Sequence, residues 1–360
     1  MPEVRLIDIE KRFGPVVAVT NVNLTIEDKE YVTILGPSGC GKTTLIKMIA
    51  GIWEPTRGRI TIDGKDMEGV PIEERSLGYV FQNIALFPHL SVLDNVSYGP
   101  RVRVLGKEYV EEVPRRYLSM VNLLNKMGMF PSELAGGEQQ KVSLARALSS
   151  GAKLLLLDEP LSALDARVRM DLRYELRRLA KDLGLTVIHV THDQEEAMSV
   201  SDRIVLMRNG MIVEINSPEM LYKEPKTIFS ANFVGETNLI EGRVVGTDKF
   251  TEVGLRDGTI LKLERGGFSK GEAVVISVRP ENVYPSDSGM CARIIGSIFM
   301  GTYLRVTAQT EGDDIVEFDV PVSEDKVFSE GDNVWLQVNG RMAILFSSPE
   351  EGIEEAVKLE

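Results

Sequence analysis

The chain has 360 residues, 43% of them apolar and 26% charged, with a net charge of −13. Those proportions fit a globular protein of two or three domains, and no apolar run approaches the roughly 18 residues of a membrane span. Any membrane contact is therefore expected to be peripheral, and the two distant cysteines, Cys40 and Cys291, make no disulfide framework and fit a reducing compartment.

Met1-Pro-Glu-Val-Arg-Leu passes straight into a polar-interrupted strand, so no secretory leader is expected. Tyr31–Leu35 reads as a buried strand. Gly36-Pro37-Ser38-Gly39-Cys40-Gly41-Lys42-Thr43-Thr44 follows, and Thr44–Ala50 reads as a helix stopped by Gly51. The nonapeptide fits G-x-x-x-x-G-K-[ST], a phosphate-binding loop. Its glycines permit backbone angles that turn successive N–H groups toward an anion at a helix N-terminus. Lys42 supplies a point charge for the terminal phosphates, and the Thr43 hydroxyl is a ligand for Mg²⁺. Cys40 either offers thiol reagents a route to block this loop or is simply a small residue there.

Leu134-Ala-Gly-Gly-Glu-Gln-Gln-Lys141 opens a long helix with a Gly-Gly turn, a second anion-binding helix start. One nucleotide rarely needs two such ends, so this one is expected to face the nucleotide of another copy. Leu154–Leu157 reads as a strand buried on both faces that ends in Asp158 and Glu159. At a sheet's carboxyl edge, Asp158 suits Mg²⁺ and Glu159 suits polarising a water; helix capping is the alternative for the pair. Leu172, Leu176, Leu179 and Leu183 form a core stripe beside Arg173, Arg177, Arg178 and Lys181, which read as a solvated basic face. A further buried strand is expected at Thr186–Val190, with His189 structural inside it.

Beyond residue 236 short β-rich runs alternate with turns at Asp257-Gly258, Lys270-Gly271 and Glu330-Gly-Asp332. Val274–Val278, Tyr303–Val306 and Val334–Val338 are strand candidates, which suggests a small barrel or sandwich. Residues 236–360 hold 12 basic and 23 acidic residues, a balance that marks a domain boundary near 236 and opposes nucleic acid as a partner.

In their order, these motifs resemble the ATP-binding subunit of ATP-binding-cassette transporters over about residues 3–235. Leu134–Lys141 is similar to the family's signature and Ser162-Ala-Leu-Asp165 to its D-loop. Gln82, in Tyr79-Val-Phe-Gln-Asn83, matches the Q-loop glutamine, and His192, in Val190-Thr-His-Asp193, the switch histidine. Phe13, in Lys11-Arg-Phe-Gly14, stands where the family stacks an aromatic on adenine; alone it reads as an ordinary core aromatic. Val278-Arg-Pro-Glu-Asn-Val283 and Asn238–Val244 resemble the β-barrel extension of importer ATPases.

The resemblance implies an α/β P-loop ATPase domain over 1–235, with a helical signature subdomain at about 85–150. An all-β, OB-like (TOBE) regulatory barrel follows over 236–347, then an acidic tail over 348–360. It implies ATP and Mg²⁺ as cofactors. Glu159, His192 and Gln82 would be catalytic, and Thr43, Gln82 and Asp158 would serve the metal. The phosphate loop from Gly36 to Thr44, Phe13, Ala135, Gly136, Gly137, Glu138 and Asp165 would contact nucleotide, the signature set in trans. The partners implied are a second copy closing head to tail, membrane permease subunits and, through them, a solute-binding protein, without nucleic acid. The place implied is the cytoplasmic face of the membrane, and Asn83–Leu90 would help receive the permease or pack in the core. Sugar is the expected solute, with polyamine or ferric iron as alternatives. A soluble cassette ATPase acting on DNA or ribosomes is the contrasting class, and a small-molecule kinase a third. Two residues depart from the family pattern: Ala135 replaces a serine and Glu138 a glutamine. The lost hydroxyl removes a hydrogen bond to a charged group, on the order of 1.5–3 kcal/mol.

Overall fold

A computed structural model describes residues 2–104, 106–162, 164–323 and 328–359, which divide into two compact units, the described residues up to 219 with Leu359, and those from 220 to 358. Ala163 of the expected D-loop and Glu360 of the expected tail lie outside the described residues.

The first unit is built on a six-stranded sheet. From edge to edge its strands are Met211–Asn216, Arg203–Arg208, Tyr31–Leu35, Thr186–Thr191, Leu154–Asp158 and Leu77–Val80. All pairings are parallel except that of Met211–Asn216 with Arg203–Arg208. Tyr31–Leu35, Leu154–Asp158 and Thr186–Thr191 are buried at every position, as unbroken apolar runs in a doubly covered sheet should be. One core cluster joins the helix Lys42–Ala50 to a four-stranded antiparallel sheet formed by Val16–Ile26, Val4–Phe13, Arg57–Ile62 and Lys65–Asp66. Another gathers the helices Val92–Val102, Lys107–Met120, Gly136–Ser149 and Ala166–Leu183.

Arg75 locks the end of the phosphate-loop helix. It is 8% exposed, and its guanidinium donates to the carbonyls of Met48, Ile49, Met67 and Val70. Two of the helix's last carbonyls, those of Met48 and Ile49, thereby gain a donor from outside the helix.

Leu172, Leu176 and Leu179 are buried as the periodicity predicts and Leu183 is half-buried against the same core, but the basic face beside them is not simply solvated. Arg169 and Arg173 reach Asp193, while Arg177 and Lys181 reach Asp202. This face clamps the segment around the helix Gln194–Val200; Arg178 stands exposed as the solvated reading has it, and Lys181 is exposed as well although it reaches Asp202.

The second unit carries two antiparallel five-stranded sheets. One orders Ile260–Leu263, Thr251–Gly254, Asn238–Gly246, Ala273–Val278 and Ile344–Ser347. The other orders Val283–Ser286, Asn333–Val338, Met290–Phe299, Tyr303–Thr310 and Ile315–Pro321. Both feed one core through Ile240, Val253, Ile276, Met290, Val306, Phe318 and Leu336, the alternate inward positions of their strands. The all-β character expected beyond 236 is present. The unit begins earlier than residue 236, however, because Arg279 bonds the carbonyls of Tyr222, Ala231, Gly235 and Glu236 and folds that segment in with the strands. The run expected as a frayed tail contains a short helix, Ile353–Val357.

Candidate functional site

The loop Gly36–Thr44 leaves the carboxyl end of Tyr31–Leu35 and enters the helix Lys42–Ala50. A Cβ on Gly36 would stand 2.3 Å from the Met207 carbonyl oxygen, so the chain can leave the strand there only without one. Gly41, at φ 102°, caps the helix in the left-handed region and lies too close to Ala18 for any side chain. The Lys42 ammonium is buried and donates to the carbonyls of Gly36 (2.8 Å) and Pro37 (2.7 Å). Ser38 and Gly39 are exposed at the loop's crest, and Thr44 is half-buried behind Thr43. Cys40 is buried; burial pushes its thiol up, with Lys42 pulling it back only in part. It remains the unreactive thiol form, which argues against easy blocking by thiol reagents.

Asp158 ends the strand Leu154–Asp158. Its Oδ1 accepts from the Thr43 hydroxyl at 3.2 Å and its Oδ2 from the Tyr79 hydroxyl at 3.0 Å. Burial pushes the Asp158 carboxyl up, and the two hydrogen bonds hold it back in part. Burial and the facing carboxylate push the Tyr79 hydroxyl far above its ordinary range, so it stays a neutral donor. Glu159 follows at φ 45°, unusual for a side chain of its size, with its N–H donated to the Val190 carbonyl at 2.9 Å. That turn aims its carboxylate at two residues from other strand ends. Glu159 Oε2 accepts from Gln82 Nε2 at 3.0 Å and lies 3.4 Å from His192 Nδ1.

The switch segment has its own support. Asp193 caps the helix Gln194–Val200 by accepting from the Glu196 N–H. Burial pushes the Asp193 carboxyl up, but that N–H together with Arg173 and Arg169 outweighs it and holds the group below its usual range. His189 is fully buried; its Nδ1 meets the Tyr31 hydroxyl at 3.0 Å and its Nε2 stands 3.1 Å from Glu196 Oε1.

Five expected site residues, Thr43, Gln82, Asp158, Glu159 and His192, are thus brought together by hydrogen bonds and short contacts at neighbouring strand ends. The signature residues are placed elsewhere. Ala135 precedes the helix Gly136–Ser149, and a Cβ on Gly137 would stand 2.5 Å from Val168 at the start of Ala166–Leu183. Glu138 turns back, accepting from the Ala135 N–H at 3.2 Å and from Lys126 Nζ at 2.5 Å. Asp165 caps Ala166–Leu183 by accepting from the Val168 N–H. Phe13 is 42% exposed and meets Trp53 edge-on at 5.0 Å.

Sequence reasoning missed Tyr79, Trp53, Lys126 and Asn95. Asn95 is fully buried and holds the loop 83–90, accepting from the Phe87 N–H and donating to the carbonyls of Phe87, Leu90 and Ser91. Phe81, next to that loop in sequence, and Tyr98, whose ring lies 4.5 Å from that of Phe87, remain exposed.

Comparison with known proteins identifies the architecture. The ABC transporter family matches residues 19–162 and the TOBE domain residues 276–346. A spermidine/putrescine import ATP-binding protein, PotA, of Acetivibrio thermocellus is 37% identical over 339 residues, 93% of this chain and 94% of the relative. An Fe(3+) ions import ATP-binding protein, FbpC, of Rhizobium etli is 41% identical over 327 residues, 88% of this chain and 92% of the relative. The dimeric structure of MJ0796, a bacterial ABC transporter cassette, superimposes with a TM-score of 0.54 at 30% identity, over 60% of this chain and 98% of that one. The same cassette has been seen dimeric in a post-hydrolysis state with ADP and Pi. The chain belongs to the ATP-binding subunits of import-type ABC transporters: an ATP-hydrolysing P-loop cassette followed by a TOBE domain.

Proposed function

We propose that this ATPase works in a head-to-tail pair of copies and drives uptake of a small cation, a polyamine or ferric iron, through separate membrane subunits. The observation that carries the motor reading is the convergence of Gln82 and His192 on Glu159 Oε2, beside Thr43 and Asp158. The solute reading follows the relatives, whose names specify spermidine/putrescine and Fe(3+) import, so the sugar expected from sequence gives way to the alternatives. Those relatives also favour transport over action on DNA or ribosomes. Permease subunits, a solute-binding protein and a seat on the inner face of the membrane belong to the same proposal. No helix among the described residues is long and apolar enough to cross a membrane.

Glu159 acts as the base that orients and polarises the attacking water, and Gln82 and His192 hold its carboxylate in place. Lys42 exchanges its carbonyl partners for the terminal phosphates. The donor set fits Mg²⁺: Thr43 Oγ1 and Asp158 Oδ1 are hard oxygens 3.2 Å apart. Among the described residues no cluster of three His, Cys, Asp or Glu side chains can hold a metal alone, in keeping with a cation completed by phosphate and water. When bound, Mg²⁺ would neutralise phosphate charge; Thr43 and Asp158, already joined by a hydrogen bond, would hold it. Gly136 and Gly137 face the other copy's nucleotide, Phe13 stacks on adenine, and Asp165 shapes the turn between the copies.

Ala135 leaves its helix without a side-chain cap. Ala135→Ser should raise stability by about 1 kcal/mol through capping and also tighten ATP-driven pairing. Thermal unfolding reads the first effect and light scattering the second; no gain in either contradicts the assignment of Ala135 as both helix cap and phosphate-facing residue.

The solute is tested by uptake in cells lacking this subunit. Labelled spermidine, putrescine and ferric iron are offered separately, with wild-type or Glu159→Gln protein restored. Recovery of one of these uptakes by wild type alone supports the proposal. Recovery of sugar uptake instead overturns it.

A further inference from the structure

The signature helix carries a residue that suits its proposed task poorly. Glu138 brings a negative charge into the first turn of Gly136–Ser149, the end that would meet a partner's phosphates, and Ala135 offers no hydroxyl in compensation. Helix dipoles favour a carboxylate there, but a carboxylate and a phosphate competing for one helix end repel each other.

The structure resolves the conflict with a cation from another element. Lys126 Nζ lies 2.5 Å from Glu138 Oε1, while Oε2 takes the Ala135 N–H. Both carboxylate oxygens are therefore engaged with their own chain. Lys126 holds the Glu138 carboxyl below its usual range against the opposing pull of burial, and the Ala135 N–H adds to its effect.

The backbone on both sides of the pair is tied down. Lys126 closes the short turn Leu124–Lys126, donating its N–H to the Leu123 carbonyl, and its own carbonyl accepts from the Met129 N–H. Residues 127 and 129 in turn accept from Leu93 and Val92 at the start of the helix Val92–Val102. On the other side, Gln139 Nε2 donates to the carbonyls of Pro131 and Leu134 and fixes the approach to the signature. Lys141, the nearest cation on the helix itself, is committed to Glu175 at 2.7 Å. It acts on Glu138 only at longer range and more weakly than Lys126 does.

We propose that Lys126 is a positioning residue of the two-copy nucleotide site: it cancels the charge of Glu138 and so allows the signature helix to face a partner's terminal phosphate. The inference rests on the reading of Leu134–Lys141 as the segment that meets another copy's nucleotide. Lys126 touches no reacting atom; it acts through Glu138.

A charge cycle tests it, in the Glu159→Gln background with Mg-ATP and with the dissociation constant of the pair as readout. Lys126→Met should weaken pairing about tenfold, because a half-exposed charge pair is worth roughly threefold and both sites of the dimer lose it. Lys126→Arg should keep the parent value. Glu138→Gln should pair at least as tightly as the parent. The double variant Lys126→Met/Glu138→Gln should return to within about twofold of Glu138→Gln, since no charge is left to cancel. The Lys126→Met defect should also shrink between about 0.05 M and 0.5 M salt, as a screened repulsion does and a packing defect does not. A double variant as weak as Lys126→Met, or a Lys126→Met protein that pairs like the parent, overturns the proposal. A parent that binds Mg-ATP yet stays monomeric overturns the underlying reading instead, and this role with it.

Discussion

Glu159→Gln should lower steady-state ATP hydrolysis by roughly 10²–10⁴-fold, the usual contribution of a general base, while nucleotide affinity stays within a few-fold of wild type. The geometry explains the separation. Glu159 lies outside the phosphate loop Gly36–Thr44, to which the proposal gives the nucleotide's binding groups. Its backbone already occupies the left-handed region, and glutamine, of equal size, adds no strain there. The amide keeps one oxygen for Gln82 or His192 but cannot accept a proton from water. Phosphate release and equilibrium binding of labelled ATP measure the two quantities. Hydrolysis at the wild-type rate would remove Glu159 from the catalytic role.

Arg279→Ala should have the largest effect on stability, about 3–5 kcal/mol for the second unit. The residue is 6% exposed, its guanidinium serves the carbonyls of Tyr222, Ala231, Gly235 and Glu236, and it lies over the Tyr222 ring at 4.3 Å. Burial lowers its pKa, a sign of the desolvation that these carbonyls and the ring offset. Alanine would strand four carbonyls and leave a void. Arg279→Lys should be intermediate, because one ammonium cannot reach all four acceptors. Thermal unfolding and hydrogen exchange across 222–236 measure the loss; exchange protection there equal to wild type would contradict the account.

The chemistry of the cassette is legible in the sequence wherever the residues of one function lie next to one another in the chain. Gly36–Thr44 and Asp158-Glu159 are contiguous, and each follows a buried strand that orients it. What the sequence does not display are the partners supplied across the fold. Tyr79 sits in an apolar strand pattern and reads as core, yet its hydroxyl holds Asp158, 79 residues away. The basic face of Ala166–Leu183 looks solvated because its acids, Asp193 and Asp202, lie 20–25 residues downstream. Glu138 read alone is an unbalanced charge; the lysine that balances it is 12 residues upstream in an unremarkable turn. The barrel's strands are visible from alternation and glycine turns. Its true start is not, because the side chain that organises residues 222–236 is Arg279, 43–57 residues further on.

The central claim is that two copies close on ATP, and the mass of the Glu159→Gln protein in solution tests it most directly. Without nucleotide the account predicts the 39.9 kDa monomer, and with Mg-ATP a doubling of that mass that reverses when the nucleotide is removed. A protein that binds Mg-ATP but keeps the same mass with and without it would contradict the claim.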